Sequence, residues 1–172
     1  MPIPKVRSLN GLFSPGVDLG GMELDGACMS RSNLFDADLR ETSLRGANLS
    51  ECELGYANLR GANLVGADLH GAELQASILS SALLGGADLR GADLSGAMMN
   101  CADLRGCDLR GARLYRASLR NADLRGARLE DSCMVEALLG DAIYDDSTKL
   151  PSHVTPDLRG MVRSTSSPER DP

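Results

Sequence analysis

Aromatic side chains are scarce in this sequence. Its 172 residues include no tryptophan, two phenylalanines and three tyrosines. Such a chain cannot build its core around aromatic rings. Because 42% of the residues are still hydrophobic, small and aliphatic side chains must fill the interior.

Membrane-spanning and secretory segments are also missing. No charge-free run approaches the roughly 18 residues that a membrane span needs. Residues 1–13 lack the apolar stretch and the small-residue cleavage site of a signal peptide. We therefore expect no contact with a membrane and a cytoplasmic location.

The cysteines show no metal-binding pattern. They are odd in number and none forms a CxxC pair: Cys28, Cys52, Cys101, Cys107 and Cys133. We interpret them as reduced thiols. The sequence predicts neither a metal site nor a cofactor.

What the sequence does contain is a five-residue repeat from Val17 to Tyr144, as in GANLS, ECELG, YANLR and GANLV. The central residue recurs every five positions from 19 to 144, which makes 26 units, and in 22 of them it is leucine. Two positions before the centre, 18 units carry alanine, and two positions after it, 12 carry glycine. The register never slips.

A period of five excludes a straight helix and a straight strand. On a helix, five residues turn about 500°, so successive leucines form no stripe. On a strand, an odd period sends alternate leucines to opposite faces. A chain that bends once per unit can point every leucine and alanine inward, and glycine accepts the positive φ of such a corner. The chain must therefore coil around its own interior.

These units closely resemble the A(D/N)LXX motif of the pentapeptide-repeat proteins, and the Leu-centred pattern resembles their large cyanobacterial-type subgroup. The resemblance covers residues 17–144. It implies an all-β fold, a right-handed quadrilateral β-helix of about 6.5 coils with four units per coil. Residues 20 apart would then lie directly above one another.

The resemblance also implies a division of the chain. Residues 1–16 are expected to be an N-terminal cap, in which Leu9, Leu12 and Phe13 close the core, followed by the β-helix at 17–144. Residues 145–163 resemble the tail that ends many family members and are expected to cap the other end. Residues 164–172 are polar and contain proline, so we expect disorder.

One group of residues suggests catalysis. In the implied coil, His70 stacks over Ser50, with Asp68 beside it and Arg90 above. A convex wall, however, has no pocket, no preorganised oxyanion donors and no means of excluding water. We therefore predict no catalytic residues and no enzymatic activity.

Charge separates the two remaining kinds of function. The net charge of −6 argues against a direct nucleic-acid ligand. Residues 17–80 hold 4 arginines and 10 acids, whereas residues 81–144 hold 8 and 9. Some members of the resembled family inhibit DNA gyrase by presenting a rod of DNA-like width and negative charge, so gyrase or topoisomerase inhibition is the alternative. Interleaved arginines and the absence of phenylalanine at the central position favour a non-enzymatic protein-interaction scaffold or regulator.

Two surfaces are candidates for binding another protein or a second copy of the chain. The residue before the central one points outward and is Asp or Glu in 11 units, but Ile78, Leu83 and Met98 break this rule, and Val65 lies one coil below Leu83. Leu138 and Ile143 also break it, and we expect the C-terminal tail to cover them. The rival surface is an uncharged column containing Phe35 and Tyr115, with Tyr56 nearby.

Overall fold

The computed structural model describes residues 15–164. The expected N-terminal cap and disordered tail lie outside these residues, except for 15, 16 and 164. We name the five residues of a unit the small, preceding, central, following and corner residue, as in Ala37-Asp38-Leu39-Arg40-Glu41.

Four units make one coil of a four-sided β-helix. Each preceding residue forms a parallel bridge with the residue 20 positions later, as Asp38 does with Asn58, and Asn58 with Ile78. We number the faces by their central residues: Leu39 and Leu59 lie on face 1, and faces 2, 3 and 4 follow in chain order. The number of complete coils, 6.5, stays a prediction.

The interior consists of leucine columns and alanine columns. From Ala27 to Ala142, the central and small residues are buried, most of them completely. At the lower end, Leu19 and Leu24 are only partly buried and Met22 is exposed, because no described coil lies beneath them. All four faces therefore contribute the same inward chemistry.

Backbone hydrogen bonds use four of the five N–H groups in a unit. In the unit around Leu39, the N–H groups of Asp38, Leu39 and Glu41 bond to neighbouring coils, and that of Ala37 bonds to Leu34 across the corner. The fifth N–H, on the following residue, is bonded by a side chain: Arg40 N donates to Asp38 Oδ1 at 3.1 Å. Eleven other units with Asp or Asn as the preceding residue repeat this bond.

Every corner residue from Gly16 to Asp141 has a positive φ. The sequence predicts this conformation for the glycines, but thirteen other residues adopt it too, among them Tyr56 and Ala76. Left-handed backbone costs a non-glycine residue roughly 1–2 kcal/mol. Coil-to-coil bonding imposes the corner whatever residue occupies it.

Several polar residues at the small position bond to main-chain carbonyls. Thr42 Oγ1 donates to Leu19 O at 2.9 Å, while the Cys52 and Cys107 thiols lie 2.8 and 2.9 Å from Met29 O and Leu84 O. Burial raises the pKa of Cys52 to about 11 and that of Cys107 to about 12. Both thiols are therefore protonated interior groups.

The repeat ends with a change of register. Arg128 pairs with Lys149, 21 residues later, and strand β1 (Ile143–Tyr144) pairs in parallel with β2 (Val162–Arg163). A short 3-10 helix, Asp157–Arg159, lies between them. Pro151, Val154 and Met161 are buried in this segment.

Candidate partner-binding surface

Exposed aliphatic or methionine side chains occur on two adjacent faces at mid-height of the β-helix. Met98 pairs directly above Ile78 on face 1, and Leu83 lies on face 2. Leu83 and Met98 are 42% and 41% exposed, whereas Ile78 and Val65 are half-buried. We call these four residues the apolar patch.

The apolar patch gives up hydrogen bonds that the fold uses elsewhere. Ile78, Leu83 and Met98 occupy the preceding position, where Asp or Asn accepts the N–H of the following residue. An aliphatic side chain has no acceptor. Each loses a bond worth about 0.5–1.5 kcal/mol and leaves apolar surface in water. Folding gains less from these residue types here than from an Asp or Asn that bonds the backbone.

The expectation for Leu138 is wrong. The sequence predicts that the C-terminal tail covers it, but it is 45% exposed, because β2 pairs only with the strand that holds Ile143. Leu138 stands above Ser118, which stands above Met98 on face 1. Ser118 therefore separates Leu138 from Met98 and interrupts the apolar row on face 1.

The rival surface on face 4 has an aromatic pair at its lower end. The rings of Phe35 and Tyr56 lie 5.4 Å apart with a tilt of 59°, and Phe35 covers the backbone of Gly55, where a Cβ atom would meet the ring at 3.3 Å. Tyr115 lies four coils higher than Phe35. The Cζ atom of Arg116 lies 5.0 Å from the centroid of the Tyr115 ring. Arg116 thus places a cation beside the upper aromatic residue of this column.

Most of the arginines on the β-helix are bonded to acids. In five Asp-Leu-Arg units the guanidinium bonds to the aspartate two residues earlier, at positions 38/40, 88/90, 103/105, 108/110 and 123/125. The Arg40 guanidinium lowers the pKa of Asp38 to about 2. Four of these five pairs lie above residue 80. The lower half therefore carries more uncompensated negative charge.

The residues considered for catalysis do not form a hydrogen-bonded triad. The Ser50 hydroxyl donates to Asn48 Oδ1 at 2.7 Å, and Asp68 accepts the backbone N–H of His70 at 3.0 Å. Both acceptors are used in the repeat's own hydrogen bonds. Between residues 15 and 164 no cluster of three His, Cys, Asp or Glu side chains could hold a metal, and no helix has the length and apolarity for a membrane crossing.

Sequence reasoning missed the role of the preceding Asp and Asn. Their recurrence beside an outward Arg, Ser or Gly suggests only a polar outer wall, yet each bonds the N–H two residues later. The sequence does hold a signal for this bond, because Asp and Asn form it locally and Glu does not reach it as readily. An aliphatic residue at the preceding position therefore marks a unit that lacks this hydrogen bond.

The chain matches the sequence model for pentapeptide repeats, with eight copies, over residues 42–80, 79–111 and 102–141. No curated protein sequence matches it. The solved structures that are similar to this chain include three pentapeptide repeat proteins.

The first is Rfr23 from the cyanobacterium Cyanothece 51142, 36% identical, with 54% of this chain and 63% of that chain covered and a TM-score of 0.54. The match thus spans less than two thirds of Rfr23. The second, AT2G44920 from the Arabidopsis thaliana thylakoid lumen, is 30% identical, with 62% and 71% covered and a TM-score of 0.55.

The third is HetL from the cyanobacterium Nostoc sp. strain PCC 7120, a protein involved in the regulation of heterocyst differentiation. It is 34% identical, with 86% of this chain and 68% of that chain covered and a TM-score of 0.41. The family model and the solved structures match most of the repeat and show that its fold is a right-handed β-helix. Proteins of this family are generally non-enzymatic. The chain belongs to the pentapeptide repeat proteins.

Proposed function

We propose that this protein is a non-enzymatic scaffold or regulator that binds another protein, or a second copy of itself, in the cytoplasm through the apolar patch. One observation carries the proposal: Ile78, Leu83 and Met98 replace residues that would bond the backbone, and Leu83 and Met98 leave apolar surface exposed. Residues that cost stability and face solvent are typical of binding surfaces.

The hydrogen-bond pattern supplies a test that separates binding from folding. Asparagine at positions 78 and 98 restores acceptors for the N–H groups of Ser80 and Asn100, as Asn58 does for Arg60 at 3.2 Å. The double variant Ile78→Asn/Met98→Asn should therefore be at least as stable as the wild type in urea. It should lose self-association in sedimentation and lose partner capture in a pull-down.

The matched control is Asp88→Asn/Asp108→Asn, which changes the same position of the unit on face 3. It keeps the backbone acceptors and should leave association unchanged. If Ile78→Asn/Met98→Asn associates like the wild type, the apolar patch is ordinary surface. If gyrase subunits are captured and supercoiling is inhibited at micromolar protein, the gyrase alternative replaces the scaffold.

A further inference from the structure

The upper and lower ends of face 4 contain the same local geometry with different residues. Phe35, Asp36 and Tyr56 are each 80 residues, or four coils, before Tyr115, Arg116 and Glu136. In both places an aromatic following residue is flanked by two corner residues, one in its own coil and one in the coil above. The two triplets can therefore be compared position by position.

The upper triplet holds a guanidinium. Arg116 lies over the Tyr115 ring at 5.0 Å and its Nε donates to Glu136 at 2.6 Å. An aromatic face and a carboxylate together attract a cation more strongly than either does alone. The upper triplet is thus an example, within this molecule, of an arginine side chain bound on face 4.

The lower triplet has two aromatic side chains and one acid but no arginine. Asp36 occupies the position of Arg116, and Tyr56, 59% exposed, occupies that of Glu136. Phe35 is 42% exposed and is held against Gly55. The nearest arginine before it in sequence, Arg31, bonds Glu51 at 2.9 Å. Among the described residues, the guanidinium found over an aromatic ring is that of Arg116 and not one at the Phe35–Tyr56 pair.

Two glutamates extend the negative charge beside the aromatic pair. Glu53 and Glu73 are exposed and pair in adjacent coils of face 4, at the preceding position where Asp or Asn would bond the backbone. Their longer side chains carry the carboxylates outward. Like charges on neighbouring strands repel each other, and a bound cation relieves that repulsion.

We propose that the lower end of face 4, formed by Phe35, Asp36, Glu53, Tyr56 and Glu73, binds an arginine side chain of a partner protein. The guanidinium stacks on the Phe35–Tyr56 pair, as Arg116 does on Tyr115, and the carboxylates of Asp36 and Glu53 pair with its N–H groups. This site shares no residue with the apolar patch, and the proposal stands independently of it.

The probe is the peptide acetyl-Gly-Arg-Gly-Arg-Gly-amide, titrated into ¹⁵N-labelled protein. Saturable shifts are expected at the amides of Gly55, Tyr56 and Glu53. The lysine analogue should bind more weakly, since ammonium stacks less well on rings, and the glutamate analogue should not bind. Added salt should weaken binding.

Glu53→Gln/Glu73→Gln removes two charges without changing shape, and affinity should fall about 3- to 10-fold. Glu23→Gln is the matched control: it is also an exposed preceding glutamate, lies on face 2, and should leave affinity unchanged. The variant Ile78→Asn/Met98→Asn should bind the peptide with the affinity of the wild type. Failure of the proposal for the apolar patch can therefore be distinguished from failure of the proposal for face 4. Absence of shifts at Gly55 and Tyr56, equal binding of the glutamate peptide, or unchanged affinity in Glu53→Gln/Glu73→Gln would overturn the proposal.

Discussion

At the scale of single residues, adjacent positions of one unit lie in opposite environments. Leu89 is completely buried, with Leu69 below and Leu109 above, while the next residue, Arg90, reaches solvent and bonds Asp88 at 2.6 Å. The chain changes from core to surface within one peptide bond. Substitutions at neighbouring positions should therefore have very different effects on stability.

Leu89→Ala should lower the free energy of unfolding by about 2–5 kcal/mol, because the rigid coils above and below cannot close the cavity. Arg90→Ala should lower it by about 0–1 kcal/mol, the usual contribution of an exposed ion pair. Urea unfolding followed by circular dichroism measures both. Equal losses would mean that the inside and outside positions are wrongly assigned.

Corner residues allow a reciprocal test with the same two amino acids. Ala76 has a φ of 54°, and Gly86 has a φ of 68° and lies where an added Cβ atom would meet nothing within 4 Å. The left-handed penalty of roughly 1–2 kcal/mol exceeds the flexibility cost of glycine, roughly 0.5–1 kcal/mol. Ala76→Gly should therefore stabilise the protein by about 0.5–1 kcal/mol, and Gly86→Ala should destabilise it by a similar amount.

Thermal melts of the two variants decide this point. If both variants lower the melting temperature, side-chain packing rather than backbone conformation controls the corners.

At the scale of structural elements, Asp145 organises the turn that ends the repeat. Its Oδ1 accepts hydrogen bonds from the Ser147 hydroxyl at 2.7 Å, from the backbone N–H of Ser147 and Thr148, and from Gly126 N at 3.2 Å in the coil below. These bonds, the one from the Ser147 hydroxyl above all, lower the pKa of Asp145 to about 2.

Because the folded-state pKa of Asp145 lies below its ordinary value of 3.8, its contribution to stability is complete above about pH 4 and is lost as the pH falls toward 2. Asp145→Asn keeps an acceptor oxygen but not the charge. The variant should be less stable than the wild type at pH 7, and the difference should shrink at about pH 2.5. Urea unfolding at both pH values measures this, and a constant difference would show that the charge has no role.

The sequence predicts the repeating elements better than the element that ends them. The unbroken Leu and Ala register from 19 to 144 is enough to place the core, because each unit repeats the same local geometry. The turn at Asp145 and the 21-residue step to Lys149 break that period, so periodicity could not place them. The exposure of Leu138 was missed for the same reason.

The outward surface is only partly readable from sequence. Stacking of Met98 over Ile78 follows from the 20-residue coil. The Arg116 contact with Tyr115 depends on rotamers, and the packing of Phe35 on Gly55 depends on a missing side chain in the next coil. The five-residue pattern of the sequence does not predict side-chain contacts of this kind.

At the scale of the whole molecule, each coil contacts only the coils above and below it. The free energy of unfolding is then a sum of contributions from each coil and from its contacts with the adjacent coils. The coils at the two ends have one neighbour each and open before those in the middle. Hydrogen exchange should be slowest at Leu84 and Leu89, where buried coils lie on both sides, and faster toward Leu24 and Tyr144, which are only partly buried.

Hydrogen–deuterium exchange with peptide-level mass spectrometry measures this gradient. Uniform protection along residues 20–144 would show instead that the β-helix opens as one unit.

The four faces carry the same types of residue on the inside, and this affects how the outer surface can evolve. Duplication of one five-residue unit after Gly86 would place a leucine and a small residue inward wherever it landed, so the core would be rebuilt without a cavity. Everything above the insertion, however, would turn by a quarter of a revolution. Met98 would leave Ile78 and stand on face 2 above Leu83. A single slippage in the gene can thus give the outer side chains new neighbours while the inner columns stay as they were.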